Sequence, residues 1–226
     1  MKQKGGVPLP DGLIRFRIRT HILTEKDDPV KVVQRYVLPI ARPGDVVTIS
    51  ESALAITQGR AILPSTVKPS LLARFLCRFP NPEGSLATPE AMQLAIKEAG
   101  PTRILLACAV AALGKLIGRR GDFFRVAGHG LALIDDIAGT MPPFDRHIVL
   151  GPRDSQDVVN RIKAQTGIDA MVVDINDKGC VDILACSLDY PPELMRWLQN
   201  QLRDNPLGND DQQTPIMLLR FVTQGK

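Results

Sequence analysis

Apolar runs in this sequence are short, and most of them end at a proline, a glycine or an acidic pair. The chain has 18 Gly and 18 Pro among its 226 residues, so short elements joined by many turns are expected. β-branched runs at 46–49 and 170–173 predict strands, whereas apolar residues at helical spacing in 30–37 and 154–166 predict helices. Because strands and helices alternate along the chain, the sequence predicts a mixed α/β core.

The same signals predict the other elements. Further strands are expected at 13–23, 123–126, 131–134, 147–150 and 216–222, and further helices at 50–58, 69–78, 89–99, 102–117 and 191–201. The residues Ala127-Gly128-His129-Gly130 between two of these strands are typical of a hairpin turn. The apolar, Ala-rich segment 102–117 indicates a buried helix. Residues 1–12 are expected to form a flexible N-terminal arm before a domain that runs from 13 to 226.

The positive charge is concentrated near the N-terminus. The formal net charge is +4, and residues 1–42 hold nine Lys or Arg against four Asp or Glu. Arg15, Arg17 and Arg19 alternate along a predicted strand and give it one cationic face, which fits either an edge that resists aggregation or binding of a phosphorylated ligand. Aromatic residues make up only 4% of the chain, which argues against base stacking. Nucleic acid is therefore not an expected partner.

Cysteine usage and hydropathy favour the cytoplasm. The four cysteines, at 77, 108, 180 and 186, form no Cys-x-x-Cys pair and no zinc pattern, and Cys77 and Cys108 are expected to be buried thiols. The N-terminus is rich in Lys, Gly and Pro, so no signal peptide is expected. The longest apolar run, at 104–113, is too short to span a bilayer. No membrane association is therefore expected.

Two acidic turns are the candidate metal site. Asp135 and Asp136 follow one short apolar run. Asp174 comes directly after another apolar run, and Asp177 lies three residues later. Carboxylates at the ends of buried strands lie at the rim of a sheet, where ligand sites commonly form. Converging carboxylates repel one another, and a hard divalent cation such as Mg²⁺ or Mn²⁺ relieves that repulsion. Each motif taken alone also fits an ordinary polar turn, and neither matches an EF-hand.

The segment from Ser50 to Arg60 is the candidate anion site. A strand feeds directly into a helix that starts at Ser50 and Glu51, whose backbone amides could bind a phosphate. Arg60 could add a guanidinium, and His21 lies in an N-terminal loop that could face the same helix. Ordinary helix capping is the alternative. No pattern of Ser, His and Asp or of Cys and His indicates a nucleophile, so no catalytic residue is predicted.

The segment 43–60, PGDVVTISESALAITQGR, resembles a segment of the coenzyme F-420 gamma-glutamyl ligases. In that family a Pro-Gly-Asp turn, a strand, a Ser-led helix and a Gly-Arg pair follow one another in this order. Further along, residues 129–139 are similar to the family's strand that leads into an Asp-Ala-Gly turn. Residues 150–154 are similar to its helix entry, and 172–174 to its second Asp at a strand end. The resemblance is discontinuous and extends from Thr20 to Asp177.

Members of that family use GTP and a divalent metal to join glutamate, through its amine, to a carboxylate of a deazaflavin coenzyme precursor. The resemblance implies an α+β fold of mixed sheets with packed helices, a homodimer, and an insertion of helices near 64–122. For the metal it implies Asp135, Asp136, Asp174 and Asp177. For binding of the nucleotide it implies Ser50, Glu51 and Arg60. His21 is a fourth candidate because of its position in the N-terminal loop.

The expected function is therefore a metal- and nucleotide-dependent ligase that forms an amide bond. It would join a small-molecule carboxylate to an amino acid such as glutamate, with GTP or ATP as co-substrate and Mg²⁺ or Mn²⁺ as cofactor. The sequence departs from the family's pattern at two places. Where the family has a second Asp followed by Ser-Asn, this chain has AGTMPP at 138–143, and where the family has Thr-Phe-Gly-Arg, it has INDKG at 175–179. They leave open a non-catalytic nucleotide- or metabolite-binding protein of the same fold, or a structural protein.

Overall fold

The structure, a computed structural model, describes residues 12–80, 84–119, 121–134, 142–175, 179–208 and 213–222. Contacts divide the chain into two compact units, one formed by Met1–Gln58 with Arg153–Lys226 and the other by Gly59–Pro152. We call them the sheet unit and the helical unit. The insertion of helices expected near 64–122 lies within the sequence bounds of the helical unit.

Strands and helices alternate through the described residues. The strands are β1 Gly12–Ile18, β2 Val46–Ser50, β3 Ala61–Ile62, β4 Ile148–Val149, β5 Asp169–Ile175, β6 Val181–Cys186 and β7 Ile216–Val222. The α-helices are α1 Pro29–Tyr36, α2 Glu51–Thr57, α3 Leu71–Leu76, α4 Pro89–Ala99, α5 Pro101–Leu116, α6 Asp122–Ala127, α7 Ser155–Thr166 and α8 Pro192–Gln201. The chain therefore has an α+β fold with a mixed sheet and packed helices, and the predicted fold class is confirmed.

The sheet unit is built on a five-stranded mixed sheet with the strand order β1-β7-β2-β5-β6. β2 and β5 run parallel, whereas the other neighbouring strands run antiparallel. Helices α1, α2 and α7 cover one face through buried residues that include Val33, Leu54 and Val159. Helix α8 covers the other face through Leu198 and Leu202. Because alternate strand residues point to opposite faces, the central strands are apolar on both sides.

Helix α1 shows how the local sequence defines an element. The Asp28 side chain accepts hydrogen bonds from the backbone N–H groups of Val30 at 2.8 Å and Lys31 at 3.3 Å. Pro29 occupies the first helical position, where its missing N–H costs nothing. The other carboxylate oxygen of Asp28 accepts from Arg161 of α7 at 2.7 Å. One residue therefore starts this helix and ties it to a second.

The helical unit packs around its own apolar core. The short strands β3 and β4 pair antiparallel, and α3 to α6 contribute buried residues to one cluster. Helix α4 is buried over six consecutive residues, from Ala91 to Ile96. The Thr88 hydroxyl caps it by accepting from the Ala91 N–H at 3.3 Å, as the Thr-Pro-Glu signal in the sequence predicts.

The prediction of a β-hairpin at 123–134 is wrong. Residues Asp122–Ala127 form α6, and His129–Leu131 form a 3-10 turn. A short apolar run fits a buried helical turn as well as a strand, because it shows no alternation. Asp122 stabilises the start of α6, because its buried carboxylate forms ion pairs with Arg119 before the helix at 3.1 Å and with Arg125 in the helix at 2.6 Å.

Helix α5 forms where it was predicted, but it is not buried. Its buried residues are Ile104, Ala107 and Gly114, whereas Leu113 is 65% exposed and Leu116 is 82% exposed. Among the described residues, no single helix is both long and apolar enough to cross a membrane. Helices α4 and α5 reach that threshold only as a pair, and a 111° bend separates them.

Candidate functional site

Three strands of the sheet unit finish at the same end of the sheet. Since β7 is antiparallel to both β1 and β2, and β5 is parallel to β2, the strands β1, β2 and β5 all run in one direction. Just before these three strands end, a row of buried residues that pair with one another crosses the sheet: Ile18, Ile216, Ile49, Val172 and Ala185. The residues that follow this row form what we call the carboxyl end. It carries His21, Ser50 and Asp174 of the predicted site.

Ser50 and Glu51 lie where β2 passes into α2. The Ser50 N–H still belongs to the sheet, because it donates to the Pro215 carbonyl at 2.9 Å. The Ser50 side chain makes no capping hydrogen bond to α2, so ordinary capping does not explain it. Glu51 is only 3% exposed, and its carboxylate accepts from the Ser52 hydroxyl at 3.1 Å. A buried carboxylate at this position suits a cation better than a phosphate.

Asp174 lies beside this junction on the neighbouring strand. Val173 is the register partner of Ser50, so Asp174 follows one residue later, across a strand spacing of about 4.8 Å. On its other side Asp174 faces Asp182 of β6 as a direct register partner. Both are half-buried, and like charges directly opposite each other on paired strands repel one another. Asp177, the fourth residue of the predicted metal set, lies outside the described residues.

His21 follows β1 and is held at both ring nitrogens. Nε2 lies 2.8 Å from a carboxylate oxygen of Asp27, and Nδ1 lies 2.8 Å from the Tyr36 hydroxyl. Burial would raise the pKa of Asp27, but hydrogen bonds from His21 and from the Thr24 backbone outweigh it, and the pKa is lowered. The ionised carboxylate can only accept, so Nε2–H donates to Asp27. A phosphate could bind the ring only by replacing one of these partners.

Arg60 belongs to the helical unit, where it joins three segments. Its Nε donates to the Gly151 carbonyl at 2.6 Å, and its guanidinium forms an ion pair with Glu98 at 2.9 Å. The Leu150 N–H also donates to the Arg60 carbonyl at 3.1 Å. The side chain is only 11% exposed. Arg60 therefore holds β3, α4 and the segment after β4 together, a role that its sequence position did not predict.

The predicted metal site falls only partly within the described residues. Asp135 and Asp136 lie outside the described residues, as Asp177 does. In the ranges that are described, no group of three or more His, Cys, Asp or Glu side chains is arranged to hold a metal ion. Glu51 at the start of α2, Asp174 of β5 and Asp182 of β6 lie at the carboxyl end without forming such a group.

Two residues of this region were missed by the sequence analysis. Asp182 was missed because β6 was not predicted, although Val181, Asp182 and Ile183 alternate between apolar and polar after a glycine. Tyr36 was missed because its partner His21 lies 15 positions earlier, on another element. Compared with known proteins, the chain matches no family model and no curated protein.

Proposed function

We propose that the protein is a metal- and nucleotide-dependent ligase that joins a small-molecule carboxylate to the amine of an amino acid such as glutamate. The observation that supports the proposal is that His21, Glu51 and Asp174 all follow or end strands that run in one direction, so that they lie at the same end of the sheet. Sheets that contain parallel strands commonly bind ligands at this end. The resemblance of segment 43–60 to the gamma-glutamyl ligases supplies the reaction.

In the proposed reaction GTP or ATP first phosphorylates the substrate carboxylate. A carboxylate oxygen bonds to the γ-phosphorus as the bond to the nucleoside diphosphate breaks. The amine then attacks the acyl carbon, the C–N bond forms, inorganic phosphate leaves and the amine loses a proton. Mg²⁺ or Mn²⁺ bound at the site would neutralise the phosphate oxygens that crowd together in the first step.

The residue roles follow from the chemistry of each side chain. Carboxylate oxygens are the ligands that Mg²⁺ and Mn²⁺ prefer, so we assign Asp174 and the buried Glu51 to the metal. Asp182 faces Asp174 and joins them. Asp177, three residues after Asp174 in the sequence, is a further acidic residue of the sheet unit proposed for the metal. The residues of the sheet unit proposed for nucleotide phosphates are Ser50 and His21.

A second candidate function is a non-catalytic nucleotide- or metabolite-binding protein of the same fold. One specific observation favours it: the Arg60 guanidinium is already committed to Glu98 and the Gly151 carbonyl. An arginine engaged in this way is poorly placed to stabilise a phosphoryl group during transfer. In either case we propose a homodimer that acts in the cytoplasm.

Ligand-dependent thermal unfolding tests the proposal. Mg²⁺ or Mn²⁺ together with GTP or ATP should raise the melting temperature of the wild type, because a ligand at a hundredfold excess over its Kd stabilises the folded state by about 2.7 kcal/mol. Asp174→Asn should lose most of this shift. The matched control is Asp189→Asn, which removes an exposed carboxylate from the same unit and should keep it.

Phosphate release then separates the two candidate functions. A ligase should release inorganic phosphate from GTP or ATP only when a carboxylate acceptor and an amino acid are both present, and a binding protein should release none. The absence of any metal- or nucleotide-dependent stabilisation in the wild type would reject both.

A further inference from the structure

We propose a second binding site in the sheet unit, a groove between helix α8 and the turn before β6 that takes a small phosphorylated molecule. The groove has a volume of about 420 Å³, within the usual range for small-molecule sites of roughly 300–1,000 Å³. Gly179 and Cys180 line it on the turn side, and Arg196, Gln199, Asn200 and Arg203 line it on the helix side.

The fold builds this groove from two fixed walls. Helix α8 is anchored to the sheet by Leu198 and Leu202, which are both fully buried. Gln199 joins the walls, because its side-chain amide donates to the Val181 carbonyl at 3.2 Å. The position of the helix against the start of β6 is therefore set by buried contacts and not by a ligand.

Gly179 lets the turn come close to the end of the helix. Its φ of +74° is a conformation that glycine adopts readily and other residues rarely adopt. A Cβ at this position would lie in ordinary contact, 3.5 Å from the Arg203 carbonyl oxygen. The backbone conformation, and not a lack of space, is therefore what favours glycine here.

The groove carries positive charge that the protein itself does little to neutralise. Arg196 is paired with Glu193, but the separation is 3.7 Å and the side chains are 72% and 59% exposed, so this ion pair is weak. Arg203 forms no ion pair within the part of the chain that the structure describes. The adjacent carboxylate of Asp204 is held by Arg15 at 2.5 Å.

The groups that line the groove indicate the class of ligand. Arg196 lies in α8, Arg203 lies two residues after its last residue, Gln201, and two carboxamides lie between them in the sequence. Guanidinium groups bind phosphate oxygens in a bidentate manner, and carboxamide N–H groups add further donors. A small phosphorylated anion, with pyrophosphate as a simple probe, fits this set of donors. The groove shares no residue with the proposed ligase centre.

Cys180 provides a reporter inside the groove. It is exposed, whereas Cys77 is buried and Cys108 and Cys186 are half-buried. Burial raises the pKa of the Cys108 and Cys186 thiols, so these two thiols form less of the reactive thiolate. Cys180 should therefore react first with an alkylating reagent, and a ligand in the groove should shield it.

The experiment measures alkylation of Cys180 by uncharged N-ethylmaleimide, followed by peptide mass spectrometry. Sodium pyrophosphate is the ligand, the ionic strength is matched with NaCl, and no divalent cation is present, so the proposed metal centre plays no part. At about ten times its Kd a ligand leaves roughly one site in ten empty, so alkylation of the wild type should slow by about tenfold. The double variant Arg196→Gln/Arg203→Gln should lose this protection.

The matched control is Arg74→Gln, which removes one exposed helical arginine from the other unit and should keep full protection. Thermal unfolding of each variant without ligand checks the fold. The site is rejected if pyrophosphate gives the wild type no more protection than matched NaCl, or if the double variant stays protected. Equal protection by citrate would overturn the assignment to phosphate.

Discussion

The Asp45–Arg220 pair holds the Pro-Gly-Asp turn of the sheet unit in place. The guanidinium of Arg220 donates to both carboxylate oxygens of Asp45, at 2.9 and 2.6 Å, and the Arg42 N–H donates to the same carboxylate at 2.8 Å. The Asp45 side chain is 2% exposed. Burial would raise the pKa of Asp45, but the hydrogen bonds from Arg220 and Arg42 outweigh it and leave the pKa below its ordinary value of 3.8.

The stabilisation from this pair should depend on pH in a defined direction. The folded-state pKa lies below the unfolded one, so the contribution is present above about pH 3.8 and is lost as the pH falls through the folded-state pKa. At pH 6, Asp45→Asn should lower the free energy of unfolding by about 1–3 kcal/mol, because it removes the charged acceptor, whose side chain is 2% exposed, from these hydrogen bonds. The difference from wild type should shrink below pH 3.8.

Urea unfolding at pH 6 and at pH 3 measures both quantities. Asp157→Asn, an exposed carboxylate on α7, serves as the control and should change little at either pH. A difference between Asp45→Asn and wild type that stays constant across this range would show that the ionised carboxylate is not what stabilises the turn.

At the scale of elements, the contact between α5 and α6 depends on one glycine. A Cβ built on Gly114 would lie 2.2 Å from a carboxylate oxygen of Asp122, far inside any tolerated contact. That carboxylate is 6% exposed and pairs with Arg119 and Arg125. A side chain at position 114 would therefore displace the ion pairs that start α6.

Gly114→Ala should lower the free energy of unfolding by about 1–3 kcal/mol, the usual cost of overpacking. At an exposed position in a helix, the same Gly→Ala change would raise the free energy of unfolding by about 1 kcal/mol, because alanine has the higher helix propensity. In an Asp122→Ala background the clash is absent, so Gly114→Ala should become neutral or stabilising. Chemical denaturation of the four members of this double-mutant cycle measures the coupling. Equal effects in both backgrounds would contradict the steric explanation.

At the scale of the whole molecule, the exposed apolar side of α5 supports the proposed homodimer. Leu105, Leu106, Leu113 and Leu116 are each about half or more exposed, between 48% and 82%, and Ile117 continues the surface at 72%. Clustered apolar side chains of this kind usually mark an interaction surface. They also explain why a segment with the composition of a buried helix lies on the outside of its unit.

Leu113→Gln/Leu116→Gln should shift a dimer towards the monomer while leaving the unfolding transition of the monomer nearly unchanged. Analytical ultracentrifugation over a range of protein concentrations measures the association constant. Leu38→Gln, which alters an exposed leucine in the sheet unit, is the control and should leave association unchanged. A wild type that stays monomeric at every concentration would reject the homodimer.

Local sequence determined most individual elements of this protein. The Asp28-Pro29 start of α1, the Thr88 cap of α4 and the change from strand to helix at Ser50 all act within a few residues, so they can be recognised without knowing the rest of the fold. The failure at 123–134 has the same physical origin. A short apolar run has no periodicity of its own, and the ion pairs of Asp122 that favour α6 are not visible in an apolar pattern.

Only the tertiary structure decided which polar residues meet. The sequence marked Ser50, Glu51 and Asp174 as separate candidates, but the parallel pairing of β2 with β5 places them side by side, and the pairing of β5 with β6 adds Asp182. The tertiary structure also pairs the mostly buried Arg60 side chain with Glu98 of α4. Strand order and side-chain pairing depend on contacts between residues far apart in the chain, whose free energy no local pattern contains. The elements were therefore predictable from the sequence, whereas the composition of the candidate site was not.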